Sequence, residues 1–111
     1  MKIRIAKFDD LEKIKDLCVR NNLNVKKINK DAWENFPNFN EFHNIPIGWV
    51  IENNEKNIVG VILNLFMSYR YNNKTYKASV VSTWAVDHNY RSESMNLIFK
   101  WIYQKKFLVL M

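Results

Sequence analysis

The run from Val80 to Leu97 constrains this chain more than any other stretch. Val80-Val81-Ser82-Thr83-Trp84-Ala85-Val86 is β-branched and apolar, and predicts a strand. Asp87-His88-Asn89-Tyr90 then reads as a short polar turn. Arg91 follows, and Ser92-Glu93-Ser94 open a helix that shows Met95, Ile98, Phe99 and Ile102 at helical spacing. The first N–H groups of a helix have no internal partners, and its dipole favours negative charge in front of them. The chain is therefore expected to fold around a strand-to-helix junction that faces an anion.

The remaining elements follow from patterning. Lys2-Ile3-Arg4-Ile5-Ala6-Lys7 alternates charged and apolar residues, which predicts a strand with one wet face. Asp9 is expected to cap the next helix, with Glu12 completing a capping box. Leu11, Ile14, Leu17 and Cys18 share one helical face, and Asn21-Asn22 closes the helix. A second short helix is expected from Asp31 to Phe36, followed by an irregular stretch from Asn38 to Pro46. Three strands come next: Ile47–Glu52, Ile58–Phe66 and Thr75–Val86, with turns at 53–57 and 72–74. Phe107-Leu108-Val109-Leu110-Met111 predicts a further strand.

A chain of 111 residues supports one domain, here residues 1–111. Apolar residues make up 48% of it, enough for a real core and against disorder. No apolar run is long enough to span a bilayer, and the N-terminus lacks a signal-peptide pattern. Cys18 has no second cysteine to pair with, so a buried thiol in a reducing compartment, the cytoplasm, is expected. His43, His88 and Cys18 show no metal-ligand spacing, and no metal is expected. The net charge of +6 favours anionic partners such as nucleotide phosphates or nucleic acid without choosing between them.

The order of strand, helix, helix, three antiparallel strands, helix and strand resembles the N-terminal part of the GNAT acyl-CoA N-acyltransferase superfamily. Three local matches carry the resemblance: Ile3-Arg4-Ile5-Ala6 with Asp9-Asp10-Leu11; Gly48-Trp49-Val50-Ile51-Glu52 with Lys56-Asn57-Ile58-Val59-Gly60; and Trp84-Ala85-Val86-Asp87 through Tyr90-Arg91. It implies an α/β (α+β) fold with a mixed, mainly antiparallel sheet flanked by helices. It also implies acyl transfer from acetyl-CoA to a primary amine on a small molecule or a protein. The backbone of Trp84, Ala85 and Val86 would pair with the pantetheine arm. Arg91 and the amides of Ser92, Glu93, Ser94, Met95 and Asn96 would hold the pyrophosphate. Asp87 and Glu52 are the carboxylates placed to act as base.

The match departs from the family pattern in two places. The phosphate loop of the family has the form Gln/Arg-x-x-Gly-x-Gly/Ala, whereas Ser94 and Asn96 stand at the glycine positions here. A Cβ restricts how closely backbone approaches a phosphate. Weaker acyl-CoA binding than in a glycine-bearing relative is therefore expected. The family also implies another helix and a terminal hairpin beyond the fifth strand. Their absence, and the ending on Phe-Leu-Val-Leu-Met, lead to the expectation of a truncated domain that pairs with a second copy through that strand.

Two other readings compete. One is a degenerate acyltransferase scaffold that binds a ligand or partner without catalysis. The other is single-stranded nucleic-acid binding by the basic, aromatic hairpin from Phe66 to Lys77, where rings could stack on bases. The simpler account of those tyrosines is the half-buried face of a twisted hairpin, and nucleic acid ranks below the acyl donor as a partner.

Overall fold

The structure, a computed structural model, describes residues 1–23, 47–103 and 108–110. The expected helix at 31–36 and the irregular stretch at 38–46 lie outside the described residues. The chain runs β1 (Lys2–Ile5), a 3-10 turn (Phe8–Asp10), α1 (Leu11–Arg20), β2 (Gly48–Glu52), β3 (Ile58–Tyr71) and β4 (Lys74–Val86). A second 3-10 segment (His88–Glu93), α2 (Ser94–Ile102) and β5 (Leu108–Leu110) complete it. The strands form one sheet in chain order, β1-β2-β3-β4-β5. Successive pairs are antiparallel up to β4, and β5 joins β4 in parallel after the α2 crossover. The expected mixed, mainly antiparallel α+β architecture is what the chain adopts.

Among the described residues, each face of the sheet carries one helix. Ile14, Leu17 and Cys18 of α1 are fully buried against Val50, Val61, Leu63 and Ala85. On the other face Leu97, Ile98 and Trp101 of α2 pack on Ile51, Val59, Ile62 and Val86. The alternation of β2 and β3 residues between the two clusters is the period-2 pattern of a strand buried on both sides. Cys18 is a buried free thiol, and burial pushes its pKa up.

The start of α1 corrects the expected cap. Asp9 is exposed, and Asp10 instead accepts the Lys7 N–H at 2.7 Å while its own amide bonds the Lys7 carbonyl at 2.9 Å. The physical cause is Arg4, whose Nη1 and Nη2 grip the Asp10 carboxylate at 2.8 and 2.9 Å. Arg4 also reaches Glu52 at 3.1 Å, so one guanidinium joins β1, the entry to α1 and the end of β2. At the other end of α1, Asn22 takes φ 61°. Leu23 N–H then bonds the Cys18 carbonyl at 2.9 Å and Asn22 N–H bonds that of Val19 at 3.1 Å. This is a Schellman closure with asparagine in the left-handed position.

The β3–β4 hairpin is longer than its apolar pattern predicts, continuing to Tyr71 rather than Phe66. Asn72 and Asn73 both take positive φ, 50° and 64°, as a two-residue primed turn requires. The pairing steps from Leu63↔Thr83 to Asn64↔Val81, which leaves Ser82 as the extra residue of a bulge. Among the described residues, no helix is long and apolar enough to cross a membrane.

The buried stripe of α2 also differs from the expected one. Ile98 is buried as expected, but Met95 and Phe99 are exposed, and Leu97 and Trp101 are buried in their place. Both stripes are apolar, so periodicity could not choose between them. The fully buried indole of Trp101 sets the rotation of the helix on the sheet.

Candidate functional site

Among the described residues β5 pairs with Ala78, Ser79 and Val80, and β4 runs on to Val86 beyond that short parallel ladder. On its inner side β4 stays paired with β3 as far as Val86↔Gly60. Asp87 N–H bonds the Val59 carbonyl at 2.8 Å, which fixes the phase of this ladder. Backbone groups alternate in an antiparallel pair. Ala85 and Asp87 therefore face β3, while Trp84 and Val86 turn their peptide groups to the other side, where no described strand pairs with them. Arg91 Nε donates to the Val86 carbonyl at 3.3 Å from that side. Of the three residues expected to offer backbone, Ala85 is spent on the sheet and Trp84 and Val86 remain.

A cavity of about 440 Å³ lies along this edge, lined by Trp84, Ala85, Val86, Arg91 and Ser94, with Asn21 and Leu23 from the end of α1. The structure thus brings together five of the residues expected from sequence. Asn21 and Leu23 were not expected; the Schellman closure at Asn22 turns the chain so that they reach it. Ser92, Glu93 and Met95 are not among the lining residues. The Asn96 side chain lines a different cavity, and its Nδ2 donates to Glu93 Oε2 at 2.6 Å.

The junction itself is tighter than the expected helix N-terminus. His88 to Glu93 form a 3-10 segment, and Ser94 N–H bonds the Arg91 carbonyl, so α2 begins at Ser94. Arg91 and Ser94 bracket this transition, and both face the cavity. An exposed arginine beside a serine hydroxyl is suited to phosphate oxygens.

The two candidate bases are both engaged. Asp87 accepts from Arg20 Nη2 at 2.7 Å and from Asn21 Nδ2 at 3.0 Å. Glu52 is held by Arg4 at 3.1 Å and lies 3.7 Å from Lys2, and the Arg4 guanidinium keeps its carboxyl below the usual range. Neither carboxylate lines this cavity: Asp87 lines a separate one with Lys13, Asp16 and Arg20, and touches the first only through its bond from Asn21. Among the described residues, no cluster of His, Cys, Asp and Glu could hold a metal ion.

This architecture recurs in solved structures. An acetyltransferase from Vibrio fischeri superposes with a TM-score of 0.64 at 18% identity, over 96% of this chain and 87% of that one. An acetyltransferase from Trypanosoma brucei gives 0.68 at 15% identity, over 98% and 80%. Glucosamine-6-phosphate N-acetyltransferase from Arabidopsis thaliana gives 0.67 at 16% identity, over 99% and 81%. The chain has the GNAT fold. No family model and no curated protein matches the sequence, so at these identities the likeness is one of fold. Within the GNAT fold the cavity lies at the end of the fourth strand, beside the short parallel ladder with the fifth.

Proposed function

We propose that this domain binds an acyl-CoA along the open edge of β4 and transfers its acyl group, acetyl in the simplest case, to a primary amine. One observation carries the reading: outward peptide groups of Trp84 and Val86 lead directly to Arg91 and Ser94 in one cavity of a GNAT fold. The pantetheine amides would add to β4 as a further strand. The pyrophosphate would lie against Arg91, the Ser94 hydroxyl and the start of α2. Attack by the neutral amine on the thioester carbonyl forms the C–N bond and breaks C–S. The ammonium proton must leave first, and the thiolate takes one up.

Asp87 is the nearer carboxylate for the first proton. Its contacts with Arg20 and Asn21 fix its position at the end of β4. Glu52 is stabilised as an anion by Arg4, which lowers its basicity.

The test is thermal stabilisation of the purified chain by acetyl-CoA, with a single-stranded oligonucleotide as control. A ligand that binds only the folded state raises apparent stability by mass action, about 2.7 kcal/mol at a hundredfold excess over Kd. Saturable stabilisation, lost in Arg91→Glu, supports the reading. A folded chain that ignores acetyl-CoA overturns it.

A further inference from the structure

A second cavity, of about 530 Å³, lies elsewhere on α2 and shares no lining residue with the first. Asn96, Phe99, Lys100 and Tyr103 fall at i, i+3, i+4 and i+7, one face of the helix. Ile3 of β1 and Trp49 of β2 supply the rest of the lining. Its size is that of a small-molecule site, which is typically apolar with a few convergent polar groups.

The lining has a specific chemistry. Three of its six residues are aromatic, and the Phe99 and Tyr103 rings stand 6.1 Å apart with planes tilted by 32°. Lys100 is exposed and makes no ion pair among the described residues. Asn96 spends its Nδ2 on Glu93, which leaves Oδ1 as an acceptor. Glu93 makes the Asn96 end of the cavity unfavourable for an anion. Negative charge belongs at Lys100, one turn further along the helix.

We infer that this cavity binds a planar heteroaromatic anion of the nucleotide class. The base lies against Trp49, Phe99 and Tyr103, an exocyclic amine donates to Asn96 Oδ1, and the phosphate sits at Lys100. Rings alone would accept any flat apolar molecule, and Lys100 alone any anion; the combination selects a ligand with both. This site stands independently of the acyl-donor reading.

The experiment is calorimetric titration of AMP into the chain and into Arg91→Glu, which disables the proposed acyl-donor site. Saturable one-to-one binding is expected. Tyr103→Ala and Lys100→Glu should each weaken it by about tenfold. Both side chains lie at the surface, so the variants are expected to fold, which circular dichroism checks. Adenosine should bind more weakly and be indifferent to Lys100→Glu. Absence of AMP binding, its loss in Arg91→Glu, or binding unchanged in both Tyr103→Ala and Lys100→Glu would overturn the inference.

Discussion

Arg20 donates to Asp87 through Nη2 at 2.7 Å and Nε at 3.4 Å, joining the end of α1 to the end of β4 across 67 residues of sequence. The same guanidinium bonds the Ile58 carbonyl at 3.2 Å, so it also holds the first residue of β3. Asp87 raises the pKa of Arg20 and keeps it charged. Three elements that share no local sequence thus meet at one side chain beside the cavity.

Arg20 is half exposed, so solvent screens this pair. A double-mutant cycle with Arg20→Ala and Asp87→Ala should give a coupling of about 0.5–1 kcal/mol in urea unfolding. Asp87→Ala should also weaken acetyl-CoA binding by releasing Asn21. A coupling of zero would reduce the pair to a surface contact.

Asp10 gives a pH signature. Arg4 is the main reason its carboxyl sits below the ordinary value of 3.8, the Lys7 amide adds to this, and burial opposes both. A depressed folded-state pKa contributes stability above the unfolded value and loses it as pH falls through the folded one. Asp10→Asn should therefore cost about 2 kcal/mol at neutral pH, less than a fully buried pair because Arg4 is partly exposed. Urea midpoints measured at successive pH values should keep that gap constant down to about 3.8 and close it below.

Asn22 is the left-handed residue of the helix closure. Asn22→Gly should leave stability unchanged or raise it slightly, whereas Asn22→Ala should lower it by about 1 kcal/mol. Thermal melts of the two variants separate this backbone effect from any loss of a side-chain contact, because only a contact would make glycine as harmful as alanine.

Gly60 lies under Ile51. A Cβ at Gly60 would come within 2.6 Å of the Ile51 Cδ1. Gly60→Ala should destabilise by about 1–3 kcal/mol, the range for overpacking. Adding Ile51→Val removes that terminal methyl and should recover part of the loss. A double variant no better than the sum of the singles would contradict this packing account.

Ser94 tests the phosphate contact. If its Cβ holds the backbone away from the pyrophosphate, Ser94→Gly should tighten acetyl-CoA binding severalfold, about 1 kcal/mol. If the hydroxyl donates instead, the same change weakens binding. Calorimetry gives the sign directly.

The fold was legible where one rule acted alone. Leu11, Ile14, Leu17 and Cys18 face the core because α1 is polar elsewhere, leaving one possible rotation. On α2, Met95 and Phe99 compete with Leu97 and Trp101, and packing of the largest ring decided. Asp10 rather than Asp9 takes the capping contact, accepting from Lys7 N–H while Arg4 of β1 grips it, a pairing that the capping-box pattern alone does not record. Trp84, Val86, Arg91 and Ser94 were readable as one site because strand, turn and helix are contiguous there. Asn21 and Leu23 were not, because their place depends on the helix closure at Asn22, far from β4 in the sequence.

The open side of β4 presents peptide groups rather than side chains. Point substitution changes what a residue projects but leaves its amide and carbonyl in place; among the twenty residues proline alone deletes a donor. An edge of this kind is insulated from drift. Most replacements at Trp84 or Val86 would alter the surroundings of a ligand paired there and spare the pairing itself. Its loss would arrive by a proline, or by an insertion that shifts the alternation by one.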